Sequence, residues 1–331
     1  MKAYLGVDGG GTKTALCLIT DDGQLLARVQ GPSCYYLDDT ERGIGLVEDV
    51  LAEWVPLVCA MSGTTPAAVT SAFFGLPAYG EVSADVAALD DLPRAVLGHE
   101  RYHCGNDVVC GWAGSLAGAD GIHVVAGTGS IAYGRRGEVQ ARTGGWGEVF
   151  GDEGSGHWLG VHALQLFSRM SDGRQPSGPL LQVLRDHLAL QLDLDLVDVV
   201  INRWHGSRRQ VASLSRPLVE AARAGDAAAA ELLVHAGAQL AQLVQATRTR
   251  LGYTAQEVVR VSYSGGVFSI PEVLEELHRR LSTRGYELRP PRFPPDIGAA
   301  LHAARLDGCL PQEVALQRLE EVCGDLQASA R

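Results

Sequence analysis

The chain has 331 residues, of which 46% are hydrophobic and 20% are charged, and this composition excludes a disordered or fibrous protein. A chain of this length is expected to form about two domains. Its formal net charge of −11 argues against binding to nucleic acid or to an anionic membrane surface.

The first part of the chain predicts an α/β unit that opens with a strand, a glycine-rich turn and a second strand. Short apolar and β-branched runs indicate strands, and apolar residues at helical spacing indicate helices. Asp21-Asp22-Gly23 is a hairpin turn signal before the third strand. The predicted elements are strands 3–7, 12–20, 24–30 and 69–74, and helices 41–60 and 108–116.

The opening pattern then restarts near residue 122. Strand 122–126, the turn Gly127-Thr128-Gly129-Ser130 and strands 131–135 and 139–143 repeat it in the same order. The letters GQLLAR at 23–28 match GEVQAR at 137–142 in one register. We interpret this as an internal duplication.

The later part of the chain is dominated by helices. Apolar residues at helical spacing fill 157–251, including a long helix over 226–251 that ends at Gly252. The remaining predicted elements are a strand at 258–263, a helix from Pro271 to about 284 and a last helix near Asp296. The predicted domains are 1–118 and 119–331, with a helical block at about 157–251 in the second. As an alternative, the last helix packs back on the first domain.

Seven cysteines are scattered along the chain without a CxxC pair. Free thiols in a reducing compartment are therefore favoured over a disulfide framework or a zinc site. No apolar run reaches the ~18 residues of a membrane span, and too few apolar residues precede Asp8 for a signal peptide. We expect a cytoplasmic protein.

Three glycine turns each follow a predicted strand. The first glycine turn is Gly9-Gly10-Gly11-Thr12, the second is Gly127-Thr128-Gly129-Ser130, and the third is Ser264-Gly265-Gly266-Val267. Such turns expose backbone N–H groups to phosphate oxygens, although each could also be a plain hairpin turn. A Walker A or Rossmann loop needs a helix after the glycines, whereas a strand pattern follows here. The first turn therefore predicts a phosphate-binding hairpin tip, with Asp8 holding Mg²⁺ through water.

Four motifs in family order carry a resemblance over nearly the whole chain. GVDGGGTKT at 6–14, AGTGS at 126–130, GGWGEVFGDEGSG at 144–156 and SGGVF at 264–268 resemble the N-acetylglucosamine kinases. These belong to the BadF/BadG/BcrA/BcrD ATPase family of the actin, heat-shock chaperone and sugar kinase superfamily. The resemblance implies an α/β fold of two ribonuclease-H-like domains around an interdomain cleft. Each domain is one copy of a duplicated βββαβα unit, and the second carries a helical insertion.

The resemblance also implies an activity, the ATP-dependent phosphorylation of an amino sugar hydroxyl, above all of N-acetylglucosamine to its 6-phosphate, with ATP and Mg²⁺. It implies a small-molecule sugar substrate and leaves a homodimer open. It makes Asp107 the general base. The residues it assigns to ATP are Gly9, Gly10, Gly11, Thr12, Lys13, Gly127, Thr128, Gly129, Ser130, Ala212, Gly265, Gly266 and Phe268. Those it assigns to the sugar are Tyr35, Gly75, Asp107, Gly145, Trp146, Gly147, Asp152 and Glu153.

Two departures from the family pattern concern sugar recognition. Tyr35 stands where the animal enzymes have an Asn that helps to hold the sugar, and Gly75-Leu76-Pro77 replaces their Ser-Gly-Gly turn. These differences leave the amino sugar open among glucosamine, N-acetylglucosamine and N-acetylmuramic acid. They do not change the residues assigned to phosphoryl transfer.

Four of the chemical residues also have a structural interpretation. Asp107 could be the N-cap of the helix that follows, a position it shares with Asn106. Asp152 and Glu153 could be solvated loop acids, and Trp146 could anchor its loop in the core instead of stacking on a sugar ring.

The alternative function is an ATPase of the same broad family that activates a partner enzyme. Such activators hold an iron–sulfur cluster with cysteines from two subunits, and Cys104 and Cys110 flank Asp107 here. The chain has Ser-Gly-Gly-Val-Phe after its late strand, where the activators are expected to have Gly-Gly-Gln-Asp. This difference favours the kinase.

Overall fold

The computed structural model describes residues 2–282, 285–309 and 312–329. The strands are β1 (Ala3–Gly9), β2 (Lys13–Thr20), β3 (Leu25–Pro32), β4 (Ser71–Leu76), β5 (Tyr102–Asn106), β6 (Gly121–Ala126), β7 (Ser130–Arg136), β8 (Val139–Gly144), β9 (Val259–Ser264) and β10 (Tyr286–Arg289). The α-helices are α1 (Gly45–Met61), α2 (Val86–Leu97), α3 (Val108–Leu116), α4 (Gly156–Ser171), α5 (Pro179–Leu188), α6 (Asp195–Val197), α7 (Arg208–Ser213), α8 (Ser215–Arg223), α9 (Ala227–Arg250), α10 (Pro271–Leu281), α11 (Pro295–Leu306) and α12 (Glu313–Ser329). A π-helical turn, Asp198–Arg203, follows α6.

The chain divides into two compact units. The first unit is Met1–Asp120 together with Pro290–Arg331, and the second unit is Gly121–Arg289. The first break lies two residues from the expected boundary after residue 118. The sequence predicts that 119–331 form one domain, but the described residues from Pro290 onward pack with the first unit. This division matches the alternative prediction, in which the last helix packs back on the first domain.

The first unit is built on a five-stranded mixed sheet in the order β3-β2-β1-β4-β5. β1, β2 and β3 form an antiparallel meander, while β4 and β5 run parallel to β1. Helix α11 lies against β1 with very close backbone contact, since a Cβ on Gly6 would overlap the carbonyl oxygen of Asp296. Only glycine allows this approach, which ties the last part of the chain to the first strand.

The second unit repeats this topology. Its sheet has the order β10-β9-β6-β7-β8, with an antiparallel meander from β6 to β8 and with β9 and β10 parallel to β6. The predicted duplication and the two-domain α/β fold are thus confirmed. Helices α4 to α9 form the predicted helical block, between β8 and β9 in the chain.

Helix α9 is long and apolar enough to cross a membrane by length and composition alone, but half of its apolar window is buried inside the structure. Its buried residues, including Leu233, Leu240 and Val244, belong to the hydrophobic core of the second unit. Such a core helix passes the same test of length and composition, so this is weak evidence for a membrane span.

Candidate active site

The first glycine turn is the tip of a hairpin. β1 and β2 pair antiparallel up to Gly9 opposite Thr14, and the Gly10 N–H donates to the Lys13 carbonyl at 2.9 Å. Residues 11–13 are exposed. A strand and not a helix follows the glycines, as predicted, so this turn is neither a Walker A loop nor a Rossmann loop.

Gly9 is packed tightly beneath this tip. A Cβ at this position would lie 2.6 Å from Cys34 Sγ, 2.9 Å from Pro77 Cδ and 3.0 Å from the Gly75 carbonyl oxygen. By contrast, a Cβ on Gly11 would meet open space. Gly9 is therefore required for packing, whereas Gly11 is a place where a ligand can come close to the backbone.

The loop that contains Tyr35 is tied to the same turn. Ser33 Oγ donates to the Gly10 carbonyl at 2.8 Å and accepts from the Tyr35 N–H at 3.1 Å. The Tyr35 side chain is half-buried. Tyr35, which departs from the family pattern, is thus held next to the predicted phosphate-binding turn.

Asp8 and Asp107 lie at one edge of the first sheet, at the carboxyl ends of β1 and β5, with β4 between these two strands. Asp8 is opposite Gly75 in the parallel pair β1/β4, Gly75 is opposite Gly105 in the pair β4/β5, and Asp107 follows β5 directly. A Cβ on Gly75 would lie 3.2 Å from Asp107 Cα and would overlap Cys110 Sγ. The small residue lets the start of α3 come close to the strand ends, where open α/β sheets bind ligands.

The two carboxylates interact electrostatically. Burial raises the pKa of Asp8 well above its ordinary value, the charges of Asp107 and Asp296 raise that pKa further, and Lys13 opposes them. A second negative charge near Asp8 disfavours its ionised form. A cation or a proton at this point would relieve the repulsion.

Asp107 does not cap α3 with its side chain. Its φ is −57° and its side chain makes no capping hydrogen bond, whereas Asn106 Oδ1 accepts from the Val108 N–H at 3.2 Å. Asp107 thus occupies the N-cap position, as its structural interpretation has it, but Asn106 supplies the side-chain hydrogen bond at this helix start. The Asp107 side chain is half-buried.

The donor set near Asp8 suits a hydrated cation. Mg²⁺ keeps several waters and binds through one or two carboxylates. Across the described ranges no group of three or more His, Cys, Asp and Glu side chains is arranged to hold a metal ion directly. The expected contact of Asp8 with Mg²⁺ through water stays a prediction.

In the second unit, the second glycine turn is anchored to the start of α4. The Gly127 carbonyl accepts from the Gly156 N–H at 2.8 Å, and the Thr128 carbonyl accepts from the His157 N–H at 3.1 Å. Ser130 Oγ donates to the Glu153 carbonyl at 2.8 Å. The Gly127 and Ser130 N–H groups also donate within the protein, so the turn can offer a ligand the N–H groups of Thr128 and Gly129, and the Thr128 side chain is exposed beside them.

Asp152 lies against this turn and is almost fully buried. Its backbone has a φ of +57°, rare for a residue other than glycine, and its side chain is only 3% exposed. Oδ1 accepts from the Ser130 N–H at 3.3 Å, and Oδ2 is paired with Arg208 Nη2 at 2.5 Å. Asp152 is therefore no solvated loop acid, while the Glu153 side chain is half-buried.

The predicted sugar loop is open and apolar. Trp146 is 70% exposed, and Val149 and Phe150 are exposed as well, so the interpretation of Trp146 as a core anchor is wrong. Gly145 and Gly147 have φ values of +68° and +85°, a conformation that glycine adopts without strain. The glycines present the indole ring to the solvent, where it can stack on a ligand.

The third glycine turn backs onto the second. Gly265 has a φ of +106°, and a Cβ there would overlap the Ala126 carbonyl and lie 3.0 Å from the Gly127 N. Gly266 follows without close neighbours, whereas Phe268 is 6% exposed and its ring lies 5.2 Å from that of Tyr263 in the core. Phe268 thus supports this turn from the core.

Helix α7 places two more residues close to the second turn. The Cβ of Ala212 would be 3.5 Å from a Cβ on Gly156, beside the anchored turn. Arg208 at the start of α7 forms the ion pair with Asp152. The sequence analysis did not single out Arg208, because only the packing of α7 on α4 brings it to the turn.

The two units share one sheet topology, and each has a glycine turn after its first strand. This arrangement is typical of the actin, heat-shock chaperone and sugar kinase superfamily. The chain belongs to the BadF/BadG/BcrA/BcrD ATPase family, whose pattern matches residues 5–303.

Two relatives and one solved structure extend this comparison. The N-acetylmuramic acid/N-acetylglucosamine kinase of Clostridium acetobutylicum is 30% identical over 284 residues, 85% of this chain and 91% of that protein. The N-acetyl-D-glucosamine kinase of Dictyostelium discoideum is 28% identical over 91% of this chain and 98% of its own length. A crystal structure of a candidate N-acetylglucosamine kinase from Chromobacterium violaceum superposes with a TM-score of 0.68 at 26% identity, covering 92% of this chain and 99% of that one.

Proposed function

We propose that this protein is an ATP-dependent sugar kinase of the cytoplasm that phosphorylates an amino sugar, with N-acetylglucosamine and its 6-hydroxyl as the first choice. The observation that carries the proposal is that Asp8 and Asp107 lie at the carboxyl ends of β1 and β5, on either side of β4, beside an open glycine turn. The two kinase relatives named above support the substrate class.

Asp107 orients the attacking sugar hydroxyl and accepts its proton. Phosphoryl transfer depends mainly on positioning and charge neutralisation, so a single carboxylate near the hydroxyl suffices as base. Its position after β5 and the absence of a capping hydrogen bond from its side chain support this assignment.

The glycine turns hold the nucleotide. In the first unit, Gly11 and Thr12 offer N–H and hydroxyl groups to phosphate oxygens, while the Gly10 N–H is used by the hairpin bond to Lys13. In the second unit, Thr128 and Gly129 offer groups of the same kind. Asp8 would hold Mg²⁺ through water, and the chemistry that the cation would supply there is neutralisation of phosphate charge. The raised pKa of Asp8 fits this role, because a nearby cation favours its ionised form.

Sugar recognition is assigned to the open loop of the second unit and, separately, to Tyr35 of the first unit. Trp146 stacks on the apolar face of the pyranose ring, and Asp152 accepts from a sugar hydroxyl. Tyr35, held next to the first turn, takes the place of the Asn of the animal enzymes.

A coupled assay of ADP release across four sugars tests the proposal. With Mg²⁺ and ATP, N-acetylglucosamine, N-acetylmuramic acid and glucosamine should be compared with glucose. We expect turnover with at least one amino sugar, and mass spectrometry should find the added phosphate on its 6-hydroxyl. Sugar-independent ATP hydrolysis alone, or a preference for glucose, would contradict it.

A further inference from the structure

The guanidinium of Arg208 lies where the second glycine turn and the Asp152 carboxylate meet. Nη2 is 2.5 Å from Asp152 Oδ2, and a Cβ on Gly129 would overlap Nη2. That Cβ would also be 2.7 Å from Asp152 Oδ2. The ion pair thus covers the face of the turn at which Gly129 lacks a side chain.

Because Asp152 is negatively charged, an anion can bind at the second glycine turn only when the Arg208 guanidinium offsets that charge. The carboxylate accepts from the Ser130 N–H and is buried, so the solvent screens it poorly. Alone, it would repel a phosphate group that approached the N–H groups of the same turn. Paired with Arg208, it is neutralised.

Arg208 has donor capacity that the protein does not use. A guanidinium carries five N–H donors in a planar fork that matches phosphate oxygens. Its Nε is buried without a hydrogen-bond partner among the described residues, and Glu148 Oε2 lies 3.4 Å away. Nε is therefore held in an ion pair with Glu148 but makes no hydrogen bond, which is unfavourable for a buried donor, and a phosphate oxygen would supply that hydrogen bond.

We propose that Arg208 is a phosphate-binding residue of the nucleotide site, and that Asp152 is its counter-ion while the site is empty. Nucleotide phosphate and Asp152 then compete for one guanidinium, and a sugar hydroxyl that donates to Asp152 releases Arg208 towards the phosphate. This role rests on the proposed function of the second glycine turn.

Calorimetry with Mg-ADP and Mg-ATP, without sugar, tests the role of Arg208. Because hydrogen bonds to charged groups contribute more than neutral ones, Arg208→Gln should weaken nucleotide binding roughly tenfold or more. Arg209→Gln, which changes the exposed neighbour on the same helix, should bind within about twofold of wild type. If Arg208→Gln does not fold, Arg208→Lys is the second variant, because lysine keeps the positive charge but lacks the planar, two-pronged guanidinium. Arg208→Lys should bind nucleotide several-fold more weakly than wild type, roughly the effect of losing one hydrogen bond.

A double-mutant cycle separates phosphate binding from simple electrostatics. Asp152→Asn should tighten nucleotide binding in the presence of Arg208, and this gain should vanish in the Arg208→Gln background. An equal gain in both backgrounds would overturn the proposal.

Two further outcomes are decisive. If Arg208→Gln or folded Arg208→Lys keeps wild-type nucleotide affinity and only raises the KM for sugar, Arg208 merely positions Asp152 and the proposal is wrong. If the wild-type protein itself binds no nucleotide, the proposed function fails first.

Discussion

The Asp296 carboxylate, which is 1% exposed, receives two hydrogen bonds from the Arg28 guanidinium, Nε to Oδ2 at 2.5 Å and Nη2 to Oδ1 at 2.9 Å. Arg28 lies on β3 and Asp296 begins α11, so the pair joins two distant parts of the chain within the first unit. The charge of Asp296 also contributes to the raised pKa of Asp8.

Removing Arg28 should therefore destabilise the first unit. Arg28→Met leaves a buried carboxylate without its partner, and we expect a loss of about 3 kcal/mol in the free energy of unfolding, measured with urea. As a control, Arg42→Met breaks the exposed pair with Asp39 and should cost less than about 1 kcal/mol. Equal effects of the two substitutions would show that the buried pair is not special.

Asp107→Asn should abolish most activity and leave the fold intact. Removal of a general base typically lowers kcat by about a hundredfold or more. Because Asn106 is the residue whose side chain caps α3, Asp107→Asn should keep the wild-type melting temperature, while Asn106→Ala should lose about 1 kcal/mol of stability. Turnover by Asp107→Asn within a few-fold of wild type would refute its role as base.

Gly11→Val tests the first glycine turn as a phosphate site. The new side chain meets open space in the protein, so the fold should tolerate it, but it fills the path of a phosphate group. We expect weaker binding of ATP and unchanged binding of sugar, each measured by calorimetry. Gly9→Ala is the contrasting variant, because its Cβ would collide with Cys34 and should lower the melting temperature. Unaltered ATP affinity in Gly11→Val would exclude a phosphate contact there.

Trp146→Ala should raise the KM for sugar without changing stability. The indole ring is 70% exposed, so its loss costs little packing, but a stacking contact to the sugar is lost. We expect a KM for sugar about tenfold higher, equivalent to about 1.4 kcal/mol, with the KM for ATP unchanged. Val149→Ala, in the same exposed loop, serves as the control. If both variants behave like wild type, the loop does not bind the sugar.

His123 should make the second unit sensitive to acid. Burial lowers the pKa of this β6 histidine to about 4, and the ring accepts or donates a hydrogen bond with Ser264 Oγ at 3.0 Å. Since its folded pKa lies below the unfolded value of 6.5, the stability it contributes is complete above pH 6.5 and falls as the pH decreases towards 4. In His123→Gln, the free energy of unfolding should fall less between pH 6.5 and pH 4. At pH 4 its loss relative to neutral pH should be smaller than that of wild type by about 3 kcal/mol. Parallel profiles for the two proteins would show that another group causes the acid loss.

The local pattern of the sequence determined the two meanders and their turns. The hairpin at Gly9, the repeat at Gly127 and the long helix α9 all follow from period-2 or period-3.6 spacing and from turn residues, which act over a few neighbouring positions. The resemblance added residue roles, among which Asp107 gains support from its place at a strand end.

Elements with weak local signals escaped prediction. β5 and β10 are partly buried strands at the edges of their sheets, so neither shows a run of apolar residues. Helix α2 contains Pro93, a helix breaker by sequence, and buries only a narrow stripe. Helix α12, with a mixed polar surface, was also missed.

Only the tertiary structure decided which distant residues meet. Arg208 reaches Gly129 because Gly160 lets α7 come into contact with α4, and Asp296 reaches Arg28 because Gly6 lets α11 lie on β1. Neither pair leaves a trace in periodicity, since the partners are 79 and 268 residues apart by their numbers. Such contacts arise when burial of apolar faces brings the elements together, and charged partners then pair because an isolated buried charge is too costly.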